Sequence, residues 1–402
     1  NEQRISSMRS IVHMDLDTFF VSVERLKDSR LLGKPVLVGG SSDRGVVAAC
    51  SYEARAFGIH SAMPMRTARA LCPEAILVRG DHEHYSYYSN MVTDIIEEAV
   101  PSYEKSSIDE FYIDMSGMDR FFGTWQYVQE LREKIIRETG LPISMGLSEN
   151  KTVSKVATGE AKPNNKIKVD HGTEKPFLAP LAVSKIPMVG ERTSETLRRM
   201  GIVRISTVQD MPMRVMENIL GENGRSIWKK ANGMDSSPVE PYTERKSIST
   251  EETFDSDTTD VKQLRNILIA MTEKLAYQLR KENKLASVVT VKLRYSDFET
   301  HTRQVRIPYT STDHALIRVV KELFDKLYER RVLIRLVGVR LSGLVHGGYQ
   351  INLLEDSEAL IHLYQAMDRM RRKYGKTSIQ RAVAMGQRFH EFNPFNGRRA
   401  EG

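Results

Sequence analysis

Ile11-Val12-His13-Met14-Asp15-Leu16 runs without a break into Asp17-Thr18-Phe19-Phe20-Val21-Ser22-Val23-Glu24-Arg25. The first six residues read as a strand with both faces partly buried. The next nine read as a helix with Asp17 as its cap. Asp15 thus ends an apolar strand. Further along, Ser106-Ser107-Ile108-Asp109-Glu110 lies between two strand-like segments, residues 103–108 and 111–115. Adjacent residues on a regular strand face opposite ways, so Asp109 and Glu110 can share one site only at a turn or bulge.

Three acids brought together repel one another unless cations neutralise them. Oxygen-only ligands suit magnesium, and two ions about 3.5–4 Å apart can activate a hydroxyl and stabilise a leaving pyrophosphate. The same residues also read as a helix cap at Asp15 and a hairpin turn at Asp109-Glu110. Helical spacing carries residues 52–71, broken near Gly58 and Pro64, and places Tyr52 and Arg55 at i and i+3 on one face. A phenol beside a guanidinium fork suits a triphosphate. Ala161-Lys162-Pro163-Asn164 sets a cation just before a helix-stopping proline.

Taken together these blocks resemble the Y-family DNA polymerases, most closely the DinB branch of bacterial lesion-bypass polymerases. The residues that carry the resemblance are Met14-Asp15-Leu16-Asp17-Thr18-Phe19-Phe20, Ser51-Tyr52-Glu53-Ala54-Arg55, Ser107-Ile108-Asp109-Glu110, Gly146-Leu147-Ser148-Glu149-Asn150-Lys151 and Ala161-Lys162-Pro163-Asn164. They stand in family order at family spacing. The resemblance implies an α+β multidomain right hand: palm at 8–27 and 85–170, fingers at 28–84 and thumb at 171–232. A linker at 233–245 would lead to a little-finger DNA-binding domain at 246–345 and a tail at 346–402. It implies a low-fidelity, template-directed DNA polymerase without proofreading that adds deoxynucleotides to a primer 3′-hydroxyl.

Its residue roles carry over position by position. Asp15, Asp109 and Glu110 would be the catalytic acids and, with the Leu16 carbonyl, the ligands of two magnesium ions, for which manganese can substitute. Phe19, Phe20, Tyr52, Arg55 and Lys162 would bind the nucleotide, with Phe20 as the steric gate that excludes a 2′-hydroxyl. Many relatives place a Ser or Thr where this chain has Ala49, which leaves Ser51 or backbone amides to compensate.

The later chain fits the same reading. From about residue 170 short helices alternate with Gly and Pro, and Ile186-Pro187-Met188-Val189-Gly190-Glu191-Arg192-Thr193 looks like a helix-hairpin-helix. Such a turn would hold a DNA phosphate through Val189, Gly190 and Arg192, largely by backbone N–H groups. Residues 232–245 are turn-rich and polar. A strand-helix-strand-strand-helix-strand pattern follows, and residues 281–340 hold thirteen Lys and Arg against seven Asp and Glu. Gln350-Ile351-Asn352-Leu353-Leu354 resembles a sliding-clamp peptide, with Gln350, Leu353 and Leu354 as anchors; a simple strand end is the other reading of those five residues.

Composition sets the outer bounds. The 402 residues suggest two to four domains, and the net charge of +7 favours a polyanionic partner. Two cysteines without paired spacing fit a reduced, cytoplasmic setting. The apolar runs are strand-sized, so no membrane span is expected, and a monomer is. Asp81-His82-Glu83-His84 has metal-like composition but reads as a solvated loop or helix start. Two other classes remain open at this point. A non-catalytic DNA-bound scaffold would have lost a carboxylate, and a nucleotide cyclase would not need the hairpin or the basic domain.

Overall fold

In the computed structural model, residues 8–347 and 358–387 are described, apart from 43, 119, 120 and 122. The chain divides into two compact units that meet in sequence at Thr243 and Glu244.

The first unit opens with β1 (Ile11–Leu16), α1 (Phe19–Lys27), β2 (Val36–Gly39), β3 (Val47–Cys50), α2 (Tyr52–Arg55), α3 (Met65–Leu71) and β4 (Ile76–Val78). It continues through α4 (His82–Ala99), β5 (Tyr103–Lys105), β6 (Glu110–Asp114), α5 (Thr124–Thr139), β7 (Ile143–Ser148), α6 (Lys151–Ala161) and β8 (Lys166–Lys168). Five helices close it: α7 (Glu174–Leu178), α8 (Glu191–Arg199), α9 (Ile205–Asp210), α10 (Met213–Leu220) and α11 (Glu222–Ala231).

β1 lies at the centre of a five-stranded sheet, β5-β6-β1-β7-β8, antiparallel to both its neighbours. A central strand covered on both faces must be apolar on at least one of them. Val12, Met14 and Leu16 meet that demand, packing in one core with residues of α4 and α5 such as Ile96, Val128, Leu131 and Ile135. His13 and Asp15 alternate to the other face, which α6 covers. The close approach of α6 depends on Gly146, paired across from His13. A Cβ there would stand 2.3 Å from the Ser154 carbonyl oxygen and 2.7 Å from the Ala157 Cβ. The Asn150 side chain starts α6 by accepting the Val153 N–H, and α5 stops at Gly140, φ 74°, the left-handed C-cap that glycine favours.

Two expectations need correction. Asp17 does not cap α1: the N-cap is Thr18, in the left-handed region with no side-chain cap bond. The Asp17 carboxylate is buried, accepting from the Ser144 hydroxyl and the Asn164 N–H. It therefore brackets the start of α1 to β7 and to the loop after Lys162. The helical stretch expected over 52–71 shrinks to α2 and α3. Gly58 (φ +83°) and Ala62 (φ 72°) turn the chain back, and the Ala62 N–H bonds the Val47 carbonyl instead of a helical partner. Strand β3 takes Val47–Cys50 into a small sheet of order β3-β2-β4.

The second unit comprises β9 (Ser247–Thr258), α12 (Val261–Lys281), β10 (Lys284–Tyr295), β11 (Thr300–Thr310), α13 (Asp313–Leu327), β12 (Ile334–Ser342), β13 (Val345–His346) and α14 (Glu358–Tyr374). Its main sheet runs β11-β10-β12-β9. Val289, Val291, Leu293, Val337, Val339 and Leu341 form one face and bury against α12 and α13 through Leu268, Met271, Leu275, Val320 and Phe324. The opposite face carries Thr290, Lys292 and Arg294 of β10, with Arg340 of β12 paired to Thr290. Buried ion pairs fasten α14 to this unit: Arg280 to Asp313 and Asp368, and Arg371 to Glu273. No described helix is long and apolar enough to cross a membrane.

Candidate active site

The register of β1 against β6 brings the acids together. Asp15 pairs directly with Glu110, and the Leu16 N–H bonds the Asp109 carbonyl. Glu110 is the first residue of β6, while Asp109 sits in the turn before it, held by a 2.7 Å bond from Ser107 to its Oδ1. The turn is what lets consecutive acids serve one site.

Each carboxylate is engaged by a donor on one oxygen. Lys162 Nζ lies 2.7 Å from Asp15 Oδ1, and Lys155 Nζ 2.6 Å from Glu110 Oε1. His13 Nε2 is 2.7 Å from the same Glu110 oxygen, and its Nδ1 is 2.8 Å from the Thr158 hydroxyl. The remaining oxygens of all three acids are left for a further ligand. One oxygen each of Asp15 and Glu110 and a ring nitrogen of His13 lie within 4.8 Å of one another. Asp109 is not part of that tight group.

Burial dominates the electrostatics. It pushes the Asp15 carboxyl up to about 7, with Lys162 opposing and Asp109 reinforcing the shift. Asp109 is raised for the same reason, partly offset by the Ser107 bond and Lys162. Glu110 goes the other way: burial works against its charge, but His13 and Lys155 hold it well below the ordinary glutamate range. Burial also lowers the His13 pKa, with Glu110 opposing the shift. The Thr158 hydroxyl that faces Nδ1 also has the His13 and Ser154 carbonyls within hydrogen-bond reach. Carboxylates crowded and desolvated enough to resist ionising are a donor set that divalent cations relieve. The residues fit hard-cation binding.

Tyr52 and Arg55 lie beside this cluster. Ser51 starts α2 by accepting the Ala54 N–H, and Arg55 sits 5.0 Å over the Tyr52 ring. The Tyr52 hydroxyl is buried without a hydrogen-bond partner among the described residues, in a field set by Asp17, Lys162, Arg55 and Asp15. A buried hydroxyl with no partner costs about 1–3 kcal/mol, so a ligand oxygen there would be welcome. Ser51 cannot stand in for the hydroxyl missing at Ala49. It is fully buried, its Oγ accepting the Val36 and Ala54 N–H groups and lying 3.3 Å from the Lys34 carbonyl.

The two phenylalanines separate. Phe19 is 3% exposed in the core, so its ring is unavailable and only its backbone could meet a nucleotide. Phe20 is partly exposed and stacks on Tyr85, ring centroids 4.2 Å apart and 11° from parallel. Tyr85 is pinned by a 2.7 Å bond from its hydroxyl to Glu24.

Of the hairpin residues, Val189 is buried, while Gly190 caps α8 and Arg192 is exposed. Only a 3-10 turn, Val183–Lys185, precedes this hairpin immediately. Met188, at φ 85°, makes its bend. Gln350, Leu353 and Leu354 lie outside the described residues. Sequence reasoning missed His13, Lys155 and Tyr85. The i, i+2 spacing of His13 and Asp15 was the available signal for the first.

The comparisons agree with the geometry. The impB/mucB/samB family matches residues 14–159, and its C-terminal domain matches 245–353. A DNA polymerase IV of Dehalococcoides mccartyi is 37% identical over 378 residues, 93% of this chain and 97% of that protein. One from Halorhodospira halophila is 39% identical over 84% of this chain and 95% of its own. A solved Y-family DNA polymerase chimera superposes with a TM-score of 0.74 at 25% identity, covering 84% of this chain and all of its own. A second solved structure, titled an insertion ternary complex of a DNA polymerase, shares the fold at TM-score 0.61. This chain belongs to the Y-family of DNA polymerases, in the DNA polymerase IV branch, and is a DNA-directed DNA polymerase.

Proposed function

We propose that the chain carries out low-fidelity, lesion-tolerant synthesis at Asp15, Asp109 and Glu110, by two-metal-ion phosphoryl transfer and without proofreading. The observation that carries this reading is the Tyr52 hydroxyl, orphaned among the described residues, in the field of Asp15, Asp17, Arg55 and Lys162. Two magnesium ions held by those carboxylates and the Leu16 carbonyl would supply charge neutralisation at the reacting phosphate and activation of the primer hydroxyl. Tyr52, Arg55 and Lys162 grip the triphosphate of the incoming deoxynucleotide, with the N–H groups of Phe19 and Phe20 at the start of α1. His13 and Lys155 keep Glu110 ionised and fixed. Lys162 shifts from Asp15 to the ligand as the site fills.

The domain reading follows. Residues 8–27 and 85–170 serve as palm, 28–84 as fingers and 171–232 as thumb, whose α8 start offers N–H groups to a primer-template phosphate. A Cβ at Gly190 would meet nothing within 4 Å, so that approach is open. The polar sheet face of the second unit, with Lys292, Arg294 and Arg340, supplies the salt-dependent grip on DNA. The protein works as a cytoplasmic monomer.

Primer extension tests the whole reading. Added magnesium, or manganese, should support template-directed incorporation that a chelator abolishes, and a mismatched primer end should not be excised. Excision of that end would overturn the absence of proofreading. The clamp reading rests on sequence alone. Replacing Gln350, Leu353 and Leu354 together with Ala should remove stimulation by a sliding clamp while sparing unstimulated synthesis; equal stimulation of both proteins would place the clamp contact elsewhere.

A further inference from the structure

A second constellation of metal-ligating side chains lies apart from the catalytic acids. Glu149 follows β7, His171 lies in the turn before α7, and Glu174 is the first residue of α7. One ligand atom from each falls within 4.8 Å of the other two. His171 Nδ1 and Glu149 Oε2 are 2.7 Å apart, on side chains that are 58% and 32% exposed.

Glu174 is different. It is only 6% exposed, and its Oε1 is buried with no hydrogen-bond partner among the described residues. Its position is fixed by close packing: Gly233 lies so near that a Cβ there would stand 2.8 Å from the Glu174 Cβ. Asn150, next to Glu149, bonds the Gly233 carbonyl at 2.8 Å and so ties the two sides together. A buried carboxylate oxygen without a donor is costly, and a cation shared with two neighbouring ligands removes that cost.

We propose that Glu149, His171 and Glu174 form a divalent metal site of the zinc class that staples the β7–α6 turn to the start of α7. Imidazole with two carboxylates suits a borderline ion such as Zn²⁺, whereas magnesium prefers oxygen and water. Bonds of about 2.0–2.1 Å to a tetrahedral ion set ligand atoms roughly 3.3 Å apart. The buried Glu174 holds one corner, and the exposed His171 and partly exposed Glu149 have the freedom to close on it. The ion takes the place of the proton shared by His171 and Glu149, and water completes its coordination. Arg9, Lys229 and Lys230 share the pocket that holds Glu149, His171 and Asp235, so charges of both signs surround the exposed ligands.

The test uses the full chain, stripped with a chelator and held in excess magnesium so that the catalytic acids are occupied. Zn²⁺ is titrated calorimetrically and by thermal melting, alongside His171→Ala and Glu174→Gln. Wild type should take up one Zn²⁺ per chain that His171→Ala binds at least tenfold more weakly, with a melting-temperature rise that both variants lack. His171 is exposed, so its variant should fold, which unchanged magnesium-dependent primer extension would check. Co²⁺ should give visible absorption bands in wild type that His171→Ala loses. No such Zn²⁺ in wild type, or His171→Ala binding within tenfold of it, would overturn the proposal and leave Glu149–His171 a surface ion pair.

Discussion

Asp109→Ala should abolish magnesium-dependent primer extension, lowering kcat by about 10³-fold or more, while primer-template binding changes little. Residues 106–109 form the turn between β5 and β6. It presents the Asp109 carboxylate beside Asp15 while the Asp109 carbonyl still completes the sheet through Leu16 N–H. Truncation to Ala keeps that backbone bond, so the fold should persist. What it removes is one of the groups that would hold both ions, and a lost electrostatic stabiliser of a phosphoryl-transfer transition state is worth about 3–4 kcal/mol or more. Asp109→Asn separates charge from shape and should be nearly as inactive. The folded variant should melt no lower than wild type, since a buried carboxylate crowded by Asp15 and Glu110 is removed. Extension near the wild-type rate in either variant would reject Asp109 as a metal ligand.

How far the sequence alone reached can be seen in single residues. That Asp15, Asp109 and Glu110 come together was legible because a family pattern surrounds them and because an acid ending an apolar strand is locally conspicuous. His13 was not, although it touches Glu110. Its role depends on register: pairing His13 with Tyr112 and Asp15 with Glu110 sets all four on one face, and Gly146 lets α6 lower Lys155 and Thr158 onto it. Nothing within ten residues of His13 encodes that register. Asp17 was misread for a related reason. An Asp before a helix is usually its cap, but here partners 127 and 147 residues away, Ser144 and Asn164, claim the carboxylate. The stretch after Tyr52 failed locally, because helical periodicity says little about two left-handed residues that turn the chain toward β3.

Phe20→Val should lower the ratio of kcat/KM for deoxynucleotide over ribonucleotide by about tenfold or more, a change of at least about 1.4 kcal/mol in relative transition-state energy. The structure sharpens the case for Phe20 by separating it from Phe19. Phe19 is core, and its truncation should cost about 3–5 kcal/mol of stability and depress every nucleotide alike. Phe20 stands partly exposed at the start of α1, five residues after Asp15, with one face of its ring against Tyr85. Tyr85 is anchored in turn by Glu24, so the Phe20 ring has a firm backing and, acting as a gate, would not retreat from a 2′-hydroxyl. Steric rejection by a backed ring rises steeply with overlap, whereas a mobile ring would yield. Losing the stack costs about 0.5–1.5 kcal/mol, too little to unfold the chain. Deoxynucleotide use should therefore fall modestly while ribonucleotide use rises. An unchanged ratio, with the fold intact, would show that Phe20 packs the helix start and that sugar selection lies elsewhere.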